Sequence, residues 1–107
     1  MDIIENIKET VENTPIVLFM KGSPQAPQCG FSARTVEALT SCEVEFAYVD
    51  VLEEPSVRQN LPKYSDWPTF PQLFVSGELV GGCDIVLELH EQGALQEMTQ
   101  NATKGQS

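Results

Sequence analysis

Ile16-Val17-Leu18-Phe19-Met20, Lys21-Gly22-Ser23-Pro24-Gln25-Ala26-Pro27-Gln28 and Cys29-Gly30-Phe31-Ser32 follow one another without a break, and their reading decides the fold. The first five residues are too few for a helix and apolar on both faces, which describes a central strand covered on both sides. Gly22, Pro24 and Pro27 make residues 21 to 28 a loop. From Gly30 to about Ser41, Ala33, Val36, Ala38 and Leu39 recur at three- and four-residue steps, so the loop runs into an amphipathic helix with Cys29 at its N-terminal edge.

Toward the N-terminus, Ile3 or Ile4, Ile7 and Val11 predict a helix between Asp2 and Asn13, with Asp2 as N-cap and Glu5 three residues on, as in a capping box. Pro15 ends it. Toward the C-terminus, Val44 to Val51 reads as a second strand, and Pro55 to about Leu61 as a short helix with Val57 and Leu61 inward, limited by Pro62. Trp67-Pro68-Thr69-Phe70-Pro71 holds two prolines within four residues and belongs to no regular element. Gln72 to Val75 and Glu78 to Val80 flank Ser76-Gly77 as a hairpin. Gly81-Gly82 then turns into a helix from about Asp84 to His90, with Ile85 and Leu89 inward. Leu95 and Met98 permit another turn or two, and the chain is expected to fray from about residue 101.

This order predicts one α/β domain spanning residues 1–107, with a four-stranded mixed sheet and helices on both faces. The Cys29 loop, the Pro71 loop and the Gly81-Gly82 turn are candidates to meet at one end of the sheet.

Sixteen Asp and Glu against six Lys and Arg leave a net charge of −10, which repels a phosphate backbone. The six cations form no run, so nucleic acid and anionic membrane surfaces are excluded as expected partners. No stretch approaches the roughly 20 apolar residues of a membrane span, and MDIIENIKET alternates charge with aliphatic residues where a signal peptide needs a basic start and an apolar run. Three cysteines make no disulfide framework and suit a reducing compartment, so a cytoplasmic location is expected.

A thiol at the start of a helix feels the partial positive charge of the unpaired amides, which favours thiolate, and Lys21 supplies a cation nearby. Cys29 is thus a nucleophile or a metal-binding thiolate. A two-thiol redox centre needs a second cysteine about three residues on, where Ser32 stands. Cys42, thirteen residues downstream near the far end of the same helix, is too distant to resolve Cys29 locally and reads as a small buried hydrophobe. Cys83, after Gly81-Gly82 and before Asp84 at a helix start, stays open. His90 reads as a surface helical residue, and no zinc spacing, phosphate loop or Ser-His-Asp set is present.

Met20-Lys21-Gly22-Ser23-Pro24, Cys29-Gly30-Phe31-Ser32, Trp67-Pro68-Thr69-Phe70-Pro71-Gln72 and Gly81-Gly82-Cys83-Asp84 together resemble the single-domain monothiol glutaredoxins of CGFS type, in matching order from about residue 3 to about residue 99. The resemblance implies a thioredoxin-like fold and a glutathione site. It implies that Lys21 and Arg58 bind the glycine carboxylate of glutathione, and that Phe70, before a cis Phe70-Pro71 bond, pairs with the tripeptide like an added strand. Cys83 and Asp84 would hold the γ-glutamyl end, with Gln59, Lys63 and Thr69 assisting. Trp67 is read as a packing residue and Phe31, beside the thiol, as shaping the site.

The family's usual activity implies a [2Fe-2S] cluster held between two protomers, with Cys29 and one glutathione thiolate from each side as ligands. The expected job is to accept such a cluster and deliver it to acceptor apo iron-sulfur proteins, as a homodimer or with a BolA-like partner. The alternative is a glutathione-dependent oxidoreductase, in which Cys29 attacks glutathionylated proteins and a second glutathione releases the product. Four of the six cations, Lys21, Arg34, Arg58 and Lys63, fall between residues 21 and 63, which places a locally positive region around Cys29 and its anionic ligands.

Overall fold

The structure, a computed structural model, describes residues 2–104. Helix α1 (Ile3–Asn13) starts as predicted, with the Asp2 carboxylate accepting from the Ile4 amide at 3.3 Å. Strand β1 (Ile16–Met20) is buried along its whole length. It is the second strand of the sheet, which also contains β4 (Ala47–Asp50), β5 (Gln72–Val75) and β6 (Glu78–Gly81) in the order β4-β1-β5-β6. β1 runs parallel to β4 and antiparallel to β5, and β5 and β6 form an antiparallel hairpin.

The period-two alternation of β1 sorts its side chains into two cores. Ile16, Leu18 and Met20 face Val36 and Leu39 of α2 (Gly30–Ser41), Val86 of α4 (Cys83–Glu91) and Leu95 of α5 (Ala94–Lys104). Val17 and Phe19 face Ile7 and Val11 of α1 and Leu61 of α3 (Pro55–Ser65), with Phe19 meeting Phe74 edge to face at 5.6 Å. The four-stranded mixed sheet covered on both faces is the one that the element order predicts, and its arrangement is the thioredoxin-like one that the resemblance implies.

Several boundaries differ from the sequence reading. Residues 21 to 28 carry a small two-stranded ribbon, β2 (Gly22–Ser23) and β3 (Ala26–Pro27), rather than an unstructured loop. The strand predicted over 44 to 51 is confined to Ala47–Asp50; the register Val17↔Ala47 sets residues 44 and 45 opposite Thr14 and Pro15, before β1 begins, and Val44 and Phe46 pack on the core as coil. Pro62 does not limit α3, which continues to Ser65. Pro62 cannot donate to the Arg58 carbonyl, but the next turn is held by Tyr64 packing beside Phe74, with ring centroids 6.3 Å apart.

On α4 the residue fully buried is Val86, while Ile85 and Leu89 are only half-buried. Fraying does not begin at 101: α5 runs to Lys104, with Ala102 against the core. The remainder of the predicted tail, 105–107, lies outside the described residues. Among the described residues no helix is long and apolar enough to cross a membrane.

Candidate active site around Cys29

Cys29 is the N-cap of α2, extended at φ −152° and ψ 136°, with its half-buried side chain making no capping bond. Its sulfur stands at the helix start, within the influence of the first-turn amides of Phe31 and Ser32. The thiol is drawn below its ordinary pKa, first by the Ser32 backbone N–H, then by the Phe31 N–H, the Lys21 ammonium and the Ser32 hydroxyl, against an opposing effect of burial. The helix start and Lys21 act as the sequence suggested, and Ser32 contributes twice.

The sequence marks Ser32 as the place where a second cysteine is missing and as the last residue of the Cys29-Gly30-Phe31-Ser32 motif, with no bonding role of its own. It is fully buried, and its hydroxyl accepts from the Lys21 amide at 3.2 Å, joining the end of β1 to the first turn of α2. Asp50 gave no sequence signal. Its carboxylate accepts from the Gly22 and Leu52 amides, each at 2.9 Å, so the end of β4 anchors the ribbon that leads to Cys29.

Lys21, Cys29 and Phe31 form one side of a groove of about 830 Å³. Arg58 and Pro62 of α3 enclose it from another side, the 67–71 loop forms a wall, and Gly82, Cys83, Asp84 and Ile85 close it at the start of α4. The groove thus brings together every principal site residue of the sequence reading: Lys21, Cys29, Arg58, Phe70, Cys83 and Asp84. Thr69 also lines it, whereas Gln59 and Lys63 do not, because the exposed residues of α3 are spread around its outer surface. Phe31 is 55% exposed at the rim.

The wall is held from beneath. Gln72 is fully buried, and its side-chain amide donates to the Trp67 carbonyl at 2.9 Å and the Thr69 carbonyl at 3.1 Å. The Phe70-Pro71 bond is cis, as the resemblance implied. Trp67, expected to be a packing residue, is half-buried and lines the groove. At Gly82 a Cβ would stand 3.3 Å from both the Pro71 carbonyl and Trp67 Nε1, so a side chain there would have to push the 67–71 wall back by a few tenths of an ångström.

The other two cysteines diverge. Cys42 is buried in the core at the end of α2, and burial pushes its thiol up, which fits a structural role. Cys83, the first residue of α4, is 7% exposed and lies in the groove wall. His90 is exposed, sharing a 3.3 Å hydrogen bond with Ser41.

The glutaredoxin family model matches residues 16–80. Glutaredoxin 4 of Escherichia coli K12 is 58% identical over 95 residues, covering 89% of this chain and 83% of the relative. Glutaredoxin 4 of Buchnera aphidicola is 57% identical over 96 residues, covering 90% of this chain and 89% of the relative. Among solved structures, reduced apo GrxS14 of poplar superposes with a TM-score of 0.80 at 44% identity, covering 94% of this chain and 93% of that one. With one thiol at the start of α2 and Ser32 where a second would stand, this chain belongs to the glutaredoxin family as a member of its monothiol type.

Proposed function

We propose that this chain binds glutathione in the groove and uses Cys29 to hold one side of a [2Fe-2S] cluster bridging two copies, which it then passes to acceptor apoproteins. The observation carrying this reading is the thiolate-prone sulfur of Cys29 at the start of α2, with Ser32 rather than a second cysteine three residues on. Among the described residues no group of three or more His, Cys, Asp or Glu could hold a metal ion. A cluster needing four thiolates is therefore completed from outside, by a second Cys29 and two glutathione thiols. The groove residues suit that co-ligand. Lys21 and Arg58 face its glycine carboxylate, Phe70 pairs with its backbone, Asp84 faces its ammonium, and the amides at the start of α4 face its γ-glutamyl carboxylate. A BolA-like protein supplying its own ligands would replace one copy. Three free cysteines suit the reducing cytoplasm.

The lowered thiol also favours a second reading, as a glutathione-dependent oxidoreductase. The Cys29 thiolate attacks the glutathione sulfur of a mixed disulfide and expels the protein thiolate. A second glutathione thiolate then attacks the Cys29-glutathione disulfide, releasing glutathione disulfide and restoring the Cys29 thiolate.

Anaerobic reconstitution with iron, sulfide and glutathione separates the two. The carrier reading expects a coloured species of dimer mass with two glutathiones per cluster, lost in Cys29→Ser and kept in Cys42→Ser. A protein that stays a colourless monomer, yet rapidly reduces a mixed disulfide, would establish the oxidoreductase instead.

A further inference from the structure

Buried polar atoms without partners are rare in folded proteins, and each calls for an explanation. Among the described residues, Trp67 Nε1 is such an atom. The indole N–H is a donor only, so nothing but an acceptor can satisfy it. Trp67 lines the groove, and its indole nitrogen lies against Gly82, the residue before Cys83 and Asp84. The loop that carries it is fastened at the backbone by Gln72, which leaves the ring as the adjustable part of the wall.

We propose that Trp67 is a ligand-binding residue of the groove, its indole N–H donating to an oxygen of the γ-glutamyl half of bound glutathione. The inference rests on the reading of the groove as a glutathione site. Bulk water cannot reach the nitrogen, which is buried beside Gly82. A small tilt of the ring as the ligand seats against Cys83 and Asp84 turns the N–H to the groove. Trp67 thereby adds a donor where the wall meets the start of α4, at a residue to which the sequence reading assigned only packing.

Trp67 is the sole tryptophan, so the protein has one indole N–H resonance. The test follows that resonance in the apo protein, at a pH near neutrality, during titration with S-methylglutathione, which cannot form a disulfide or ligate through a thiolate. Calorimetry measures saturation in parallel. The expected result is a downfield move of the indole proton and slower solvent exchange at saturation, reproduced by S-methyl-γ-glutamylcysteine, which lacks glycine. Trp67→Phe is expected to weaken binding by about tenfold or somewhat less, the loss of one hydrogen bond. Saturable binding with an unmoved indole proton overturns the inference, as does a move only with the full tripeptide. If Trp67→Phe fails to fold, the wild-type resonance decides alone. Absence of any saturable binding removes the glutathione reading itself, an outcome distinct from binding without an indole response.

Discussion

Gly22→Ala is the perturbation whose cost the structure defines most sharply. Gly22 sits at φ +90°, where a side chain costs about 1–2 kcal/mol. An added Cβ would stand 2.5 Å from the Ala26 carbonyl oxygen and 2.7 Å from the Gln28 nitrogen, both backbone atoms of the facing strand segment. Relief requires opening the ribbon, which strains the 2.9 Å bond from the Gln28 amide to the Lys21 carbonyl at a cost of about 1 kcal/mol. Together these give roughly 3 kcal/mol, a large fraction of the 5–15 kcal/mol typical of a domain. The melting temperature should fall by about 12 °C or more for a chain of this size. Gly30→Ala, eight residues on, is the matched control, since a Cβ there meets nothing within 4 Å. It should leave stability unchanged or raise it by up to about 1 kcal/mol. Urea unfolding of the two variants beside wild type is the assay. A Gly22→Ala cost below about 1 kcal/mol, or equal costs at the two positions, would refute the reasoning.

Lys21→Ala should raise the pH midpoint of Cys29 alkylation, and high salt should shrink the difference between variant and wild type, since the ammonium acts through space. Because the folded Cys29 pKa is depressed, its contribution to stability is present above the unfolded pKa and lost as pH falls through the folded value; peptide-resolved iodoacetamide labelling across pH follows the thiol. In the same labelling, Cys42 should remain protected until the protein unfolds. Gln72→Leu should keep the fold at a cost of about 1–2 kcal/mol but loosen the wall, which amide exchange accelerating at residues 67, 69 and 70 would register.

Much of the fold could be read from local pattern. The unbroken apolar run of β1 marked a strand buried on both faces, and the ends of α1 and α2 followed from Asp2, Pro15 and the spacing of Val36 and Leu39. The errors lie where a neighbour overrides local preference. Pro62 reads as a helix end until Leu61 and Tyr64 are packed on the sheet, and residues 44 and 45 read as strand until β1 is found to start too late to pair with them. The candidate site divides in the same way. Most of the residues that line the groove, Lys21, Phe70, Cys83 and Asp84 among them, sit in the short motifs that carry the family resemblance. Of those that hold them, Ser32 and Gln72 stand within the motifs without revealing what they bond, and Asp50 left no trace in the pattern.

The order of amino acids alone determined the main helices and the four strands of the sheet, the thiol of Cys29 at the start of α2 and the family to which the chain belongs, because periodicity and contiguous motifs are properties of the chain taken along its length. Tertiary structure alone decided that Lys21, Arg58, Phe70 and Asp84 share one groove with Cys29, that Gln59 and Lys63 stay outside it, and that the Trp67 nitrogen is sealed against Gly82. These are relations between segments up to 63 residues apart, Lys21 to Asp84, and they exist only once the sheet has set β1, the 67–71 wall and α4 side by side.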